Sequence, residues 1–299
     1  MHALLQSLSA RVGLPPAPCR VFHGRGGRHP GLEHITLDWW DPVWLLTSFR
    51  GLSEVELSQV HSALQAIGPA LNWVYQCRAP GAQVTRLMAG QVPEPHEVQE
   101  DGSRYQIHLL RGQNHGLFLD MAEGRAWVRA HAQEHKVLNL FAYTCGFSVA
   151  ALHGGAREVI NLDMSSAALS IGQKNHALNG LRSRASFWAH DIFSSWGKVG
   201  RHGPYDLIIA DPPSHQKGSF VATKDYPRLM RRLPDLLAPG GLAMLCLNAP
   251  ELGSDFLREA MAQAAPTLTF QERLANPPGF EDLDPEKALK VLIYRAPQS

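Results

Sequence analysis

The 299-residue chain predicts an α/β fold: a sheet of five parallel strands closed by a terminal antiparallel hairpin, behind a small α+β domain. Three observations carry this prediction. From Lys136 onward, short apolar runs alternate with helical stretches, as strands buried under helices on both faces require. The last two runs are joined by a loop too short for a crossover helix, so they should pair antiparallel. The first hundred residues instead hold alternating, aromatic-rich runs around one helical segment.

Met1 to Leu14 mixes Leu with Gln, Ser and Arg and lacks the continuous apolar core of a signal peptide, so it reads as a short, retained helix. Ile35 to Trp40 and Val43 to Phe49 read as strands, Glu54 to Ile67 as a helix, and Leu71 to Gln76 and Tyr105 to Leu110 as further strands. Pro93, Pro95 and Gly102 mark the join, giving domains 1–103 and 104–299, although Tyr105 to Met121 can pack with the second. There the strands are Val137 to Phe141, Glu158 to Leu162, Ala185 to Ala189, Asp206 to Ala210 and Leu242 to Leu247. Ser165-Ser166 caps an Ala- and Leu-rich helix that stops at Asn179-Gly180. A helix over Tyr226 to Leu237 stops at Pro239-Gly240-Gly241, and another spans Ser254 to Ala264. Thr267 to Leu274 and Ala288 to Tyr294 make the hairpin.

Composition excludes several classes. Lys and Arg total 28 against 27 Asp and Glu, a net charge of +1, so no whole-molecule field points to a polyanion. The fifteen His show no helical metal spacing, and Cys19, Cys77, Cys145 and Cys246 lie too far apart for a CxxC pair, so no metal site is expected and a reducing cytoplasm fits. Apolar runs such as Leu242 to Leu247 are too short to span a bilayer.

In open α/β sheets the ligand lies beyond the carboxyl ends of the strands. Four segments fall there. Asn139-Leu-Phe-Ala-Tyr-Thr-Cys-Gly-Phe147 carries a single glycine, Gly146, where a dinucleotide fingerprint wants three, so a cofactor without a pyrophosphate fits better. S-adenosylmethionine is the commonest such cofactor on this kind of sheet. Asp163, with Met164 after it, ends the next strand and can accept hydrogen bonds from both ribose hydroxyls; alternatively it only caps the following helix. In His190-Asp191-Ile192-Phe193 the carboxylate can receive an adenine amine while Ile192 packs on the ring; alternatively Asp191 is a solvated turn residue. Asp211-Pro212-Pro213-Ser214 is the most specific, because two prolines stiffen a turn that holds the Asp211 carboxylate toward a planar amine or base; alternatively the double proline is merely structural.

Together these residues resemble the Rossmann-like class I S-adenosylmethionine-dependent methyltransferases, and more narrowly the bacterial large-subunit ribosomal-RNA base methyltransferases. The resemblance runs from about Arg20 to Ala296 through Gly116-Leu-Phe-Leu-Asp120, Asn139-Leu-Phe-Ala-Tyr-Thr144, Asp163-Met164, Asn179-Gly180-Leu181 and Asp211-Pro-Pro213. It implies S-adenosylmethionine as cofactor and a base in structured RNA, ribosomal for choice, as substrate. It places Asp120 near the methionine end of the cofactor, Asn139, Tyr143 and Thr144 on the first cofactor loop, Asp163 at the ribose, Asp191 at the adenine and Asp211 at the substrate. The pattern is nearest to the guanine-N7 enzymes, with stand-alone cytosine-C5 enzymes as cousins. The latter need a cysteine just after the fifth strand to add to C6 of the pyrimidine. That position here is Asn248, which can hydrogen-bond a base edge, and Cys246 should lie in the strand interior. The cytosine enzymes also carry an extra RNA-binding domain at the N-terminus, for which little room exists before Arg20. The basic segment Arg20-Val-Phe-His-Gly-Arg-Gly-Gly-Arg-His29 can lie along RNA phosphates or be a flexible surface loop, and Lys217, Lys224, Arg228, Arg231 and Arg232 add charge after the Pro-Pro turn. A protein or small-molecule substrate, and an inactive cofactor-binding protein, stay open as alternatives.

Overall fold

A computed structural model describes residues 1–9, 15–68, 70–213, 215–216 and 220–298. The chain forms two compact units: Met1–Leu119 with Pro277–Asp284, and Asp120–Asn276 with Pro285–Ser299. The expected boundary between residues 103 and 104 falls inside a hairpin of the first unit, where Ser103 pairs with Glu100 and Ile107 with His96. Gly102 forms the turn of that hairpin, while Pro93 and Pro95 precede its first strand.

In the first unit, α1 (His2–Ser9) precedes β1 (Cys19–His23), β2 (Ile35–Trp40), β3 (Val43–Ser48), α2 (Glu54–Gln65), β4 (Trp73–Cys77) and β5 (Val84–Ala89). These strands make one sheet in the order β1-β2-β3-β4-β5. All neighbours are antiparallel except β3 and β4, which run parallel because α2 carries the chain across between them. The α2 start is fixed by a capping box: Ser53 Oγ accepts from the Glu56 amide while Glu56 accepts from the Ser53 amide. One sheet face buries Leu37, Leu46, Trp73 and Tyr75 against Leu4 and Leu8 of α1 and Leu57, Val60 and Leu64 of α2. Thr36, Asp38, Thr47 and Gln76 are also buried, on the opposite face by strand alternation. The hairpin β6 (His96–Glu100) and β7 (Ser103–Ile107) forms its own two-stranded sheet.

The segment Arg20 to His29 is built structure, so the flexible-loop expectation fails. Arg20 lies in β1 and pairs with Asp38 at 2.7 Å, and a one-turn 3-10 helix spans Gly24–Gly26. A side chain at Gly24 would put Cβ 1.8 Å from the Leu32 carbonyl oxygen. Gly24→Ala is therefore expected to cost more than about 2 kcal/mol, read as a lowered thermal midpoint; an unchanged midpoint would show that the turn relaxes freely.

The second unit runs α3 (Ala122–His131), β8 (Lys136–Leu140), α4 (Gly146–His153), β9 (Glu158–Asp163), α5 (Ser166–Leu178), β10 (Ala185–Ala189), α6 (Trp196–Arg201) and β11 (Tyr205–Ala210). A two-residue ladder, β12 (His215–Gln216) with β13 (Phe220–Val221), leads to α7 (Ala222–Met230), α8 (Leu233–Leu236), β14 (Leu237–Leu247), α9 (Ser254–Ala264), β15 (Thr269–Arg273) and β16 (Lys290–Arg295). The seven-stranded sheet has the order β10-β9-β8-β11-β14-β16-β15. The first five strands are parallel and β16 is antiparallel to both its neighbours, as the run lengths predict. Strand order reverses between β8 and β11, which sets the ligand crevice at the carboxyl ends of those strands. The helix expected over Tyr226 to Leu237 is instead α7 and α8, because Pro234 supplies no amide donor and restarts the helix at its first turn. Among the described residues no helix is long and apolar enough to cross a membrane.

Candidate active site

The turn after β8 is held in an unusual backbone conformation. Phe141, Tyr143 and Cys145 all have positive φ, at 57°, 48° and 63°. Non-glycine residues rarely adopt this region, so the surrounding structure must hold the turn in place. Asp163, at the end of β9, supplies one restraint: its Oδ2 accepts the Tyr143 amide at 2.8 Å, and its Oδ1 accepts the Ser165 amide at 2.7 Å. Asn175 of α5 donates to the Thr144 carbonyl at 2.9 Å. At Gly172 of the same helix a Cβ would sit 2.4 Å from the Cys145 sulfur, so only glycine lets α5 approach. Asp163 thus does more than cap α5, whose N-cap is Ser165. A carboxylate has about four acceptor sites. With two taken, Asp163 keeps capacity for a pair of vicinal hydroxyls, and Met164 beside it is 60% exposed.

Asn139 does not join this turn. It lies within β8, where its Nδ2 donates to Asn161 Oδ1 at 2.9 Å. The chain continues from Asn161 to Ser148 (3.0 Å) and from Ser148 to His176 (2.8 Å). The side chain is buried and its amide committed to β9, so it supports the sheet and does not present itself to a ligand.

Asp191 follows β10 and caps the 3-10 turn Ile192–Ser194, with Oδ1 accepting the Phe193 amide at 3.0 Å. It is exposed, and Ile192 is packed into the main core. The capping role and the exposure of Asp191 are compatible with the adenine contact.

Asp211 directly follows the central strand β11 and precedes the buried Pro212 and half-buried Pro213; Ser214 and Lys217 lie outside the described residues. Burial and the neighbouring Asp120 carboxylate push the Asp211 pKa up to about 7, against the opposing pull of Arg125. Asp120 stands on the 3-10 turn Leu119–Met121, and Arg125 is buried in α3. Asp120 thus acts electrostatically on Asp211, and Arg125 opposes it. No sequence signal marks Arg125, which reads as an ordinary solvated helix residue.

Asn248 follows the last residue of β14 and is exposed. Cys246 is fully buried, paired in register with Val291 of β16. Burial raises its thiol pKa well above the ordinary value, and Asp211 and Asp120 act in the same direction. The loop carrying Asn248 is tied down by Lys290, whose ammonium donates to the carbonyls of Ala249 at 2.8 Å and Glu286 at 2.9 Å. An aromatic wall stands at the same edge, unremarked in the sequence: Phe220 packs edge-on against Phe141 and Tyr226 and faces Phe193, over which Arg228 lies at 4.2 Å. Arg228 also pairs with Asp225 at 2.8 Å, and Lys224, Arg231 and Arg232 nearby are exposed like it. Among the described residues no group of His, Cys, Asp and Glu is placed to hold a metal ion.

Comparison with known proteins agrees with this fold. A family model described as S-adenosylmethionine-dependent methyltransferase matches residues 19–295. The chain belongs to this methyltransferase family. Among curated relatives, "Ribosomal RNA large subunit methyltransferase I" of Erwinia tasmaniensis is 32% identical over 251 residues, covering 80% of this chain and 63% of the relative. The protein of the same name from Aeromonas salmonicida is 33% identical over 249 residues, covering 79% of this chain and 62% of the relative. The chain thus spans somewhat less than two thirds of the methyltransferases it matches. Among solved structures, a Streptococcus mutans protein described as a SAM-dependent methyltransferase superposes with a TM-score of 0.86 at 24% identity, covering 99% of this chain and 81% of that one. The tRNA m1G37 methyltransferase of M. jannaschii gives 0.64 at 14% identity, covering 88% of this chain and 72% of that one. At such identities the structural likeness shows the methyltransferase fold.

Proposed function

We propose that this methyltransferase modifies a ring nitrogen of a base in large-subunit ribosomal RNA by direct displacement, without a covalent enzyme–base intermediate. S-adenosylmethionine, when bound, supplies an electrophilic methyl group. The strained turn at Tyr143 and Thr144 and the spare acceptors of Asp163 would hold it, with Met164 and Asp191 toward the adenine and Asp120 toward the methionine end, while Ile192 is buried in the core beneath. Asp211, stiffened by Pro212 and Pro213, and the exposed Asn248 orient the base edge. Catalysis then comes mainly from positioning. The curated relatives' names support the ribosomal substrate.

The observation that carries the nitrogen reading is the state of Cys246. Methylation at carbon 5 of cytosine needs a thiolate to attack C6, and the thiolate is favoured by nearby cations and exposure. Cys246 has the reverse environment, fully buried and beside two carboxylates. The position after the strand carries Asn248 instead. Cytosine C5 is the second reading, favoured because both curated relatives carry the name ribosomal RNA large subunit methyltransferase I, the type to which the stand-alone cytosine-C5 enzymes belong.

One experiment separates the two. Ribosomal RNA carrying 5-fluorocytosine traps an enzyme that forms the C6 adduct. The expected result is no denaturant-stable adduct, with methylation retained within about threefold in Cys246→Ala, since buried Cys acts as a small apolar residue. A trapped adduct, lost in that variant, would establish cytosine C5.

A further inference from the structure

The basic segment of β1 and its following turn is not used by the methyl-transfer site. Its arginines have distinct fates. Arg20 is neutralised, its guanidinium forking onto Asp38 at 2.7 and 3.2 Å. Arg78 is committed through Nε to Gln76 at 2.7 Å and through Nη2 to the Gln113 carbonyl. Arg25 lies flat over the Phe49 ring at 4.1 Å and makes no hydrogen bond or ion pair among the described residues. Arg28, exposed on the same turn, likewise has no partner among the described residues.

The turn is rigid. Gly24 is wedged against the Leu32 carbonyl, and at Gly26 a Cβ would lie 2.5 Å from the Glu281 carbonyl oxygen. Gly26 also accepts the Leu283 amide at 2.7 Å, which seats Leu283, 75% exposed, beside the turn. Two open guanidinium forks are thereby presented on a fixed backbone, one already stacked on an aromatic ring, with an exposed apolar side chain next to them.

The surrounding charge is cationic on the Arg78 side. Burial lowers the Arg78 pKa, and Arg20 and Arg25 act in the same direction against Asp38 alone. The facing loop carries acids of its own: Asp282 lies 3.8 Å from His23 and acts on the Arg25 charge, and Glu281 accepts the Gly279 amide at 3.2 Å. His23 itself is held neutral at pH 7, its pKa lowered to about 4 by burial and by Arg20.

We infer that Arg25 and Arg28 form a phosphodiester-binding site for the RNA substrate on the first unit, with Leu283 against a base face. A planar guanidinium fork matches phosphate oxygens bidentately, and stacking on Phe49 fixes its plane in advance. The inference rests on the RNA reading above.

The test uses the full chain, a fluorescein-labelled RNA stem-loop and fluorescence anisotropy over a range of salt concentrations. The double variant Arg25→Gln/Arg28→Gln should bind about tenfold more weakly, with a log affinity against log salt slope shallower by about 1.4, as for two lost single-strand phosphate contacts. Arg182→Gln, an exposed arginine of the second unit, should leave both unchanged. S-adenosylmethionine affinity by calorimetry checks that each variant is folded; if the double variant fails that check, Arg28→Gln alone should reduce the slope by about 0.7. Wild type that binds RNA with an unaltered slope in folded variants overturns this site and leaves the RNA reading standing. Wild type that binds cofactor but no RNA overturns both. Competition by polyglutamate as effective as by unlabelled RNA would overturn the assignment in favour of an acidic polypeptide.

Discussion

Asp163→Ala is expected to weaken S-adenosylmethionine binding about 100-fold, measured by calorimetry. Two losses add up. The variant removes acceptors for two hydroxyls, each charge-assisted bond worth roughly 1.5–3 kcal/mol. It also releases the Tyr143 amide, held at 2.8 Å by Oδ2, in a turn with φ of 48° at that residue. A tenfold change in affinity is about 1.4 kcal/mol, so even the lower end of this range gives two orders of magnitude. Asp163→Asn separates the contributions. Its carbonyl oxygen can still accept one turn amide, but the charge is gone, and about tenfold weakening is expected. Unchanged affinity in the Ala variant would remove Asp163 from the cofactor site and leave it as a turn brace only.

The parts legible in the sequence are those where a local pattern and the tertiary outcome coincide. Glu158 to Leu162 and Asp206 to Ala210 are mostly apolar because central parallel strands are covered on both faces, and such runs are found within β9 and β11. Asp163, Asp191 and Asp211 stand at strand ends on one edge because parallel strands bring all their carboxyl ends to the same side. The misses have other causes. β5 carries Val84 and Leu87, both exposed, with no alternation to mark it; as the edge of its sheet it is held by backbone pairing to β4. Pro277–Asp284 belongs with the first unit although it is remote in sequence, and only the folded chain shows Gly279 against Arg20 and Gly26 against Glu281. Asn139 begins the cofactor-loop motif, yet its partner Asn161 lies on another strand, and a cross-strand amide pair leaves no trace in either segment. Arg125 is invisible for the same reason: its significance is the pair of carboxylates near it, which come from Asp120 and the distant Asp211.

That carboxylate pair has the second large expected effect. With its pKa near 7, Asp211 changes protonation across the physiological range. As an acceptor for a base N–H it works ionised, so the single-turnover methylation rate should rise with pH and level off above about 7. Asp211→Asn should lower that rate roughly 100-fold, the scale of a lost positioning contact, and flatten the profile. Asp120→Asn supplies the sharper test, because removing the like charge should move the midpoint to lower pH with Asp211 still in place. An unaltered rate in Asp211→Asn would count against its role, and an unmoved midpoint in Asp120→Asn would assign the titration to another group. Stability should report the same ionisation with its own sign. The folded-state pKa is raised above the unfolded value, so the protonated acid's contribution is full below the ordinary Asp range and is lost as pH rises through about 7. Asp211→Asn, neutral at every pH, should abolish that loss, and its denaturation midpoint should fall less between pH 6 and 8 than that of the wild type. Activity gained and stability lost over one pH interval would identify a single carboxylate held in a site that disfavours its working form.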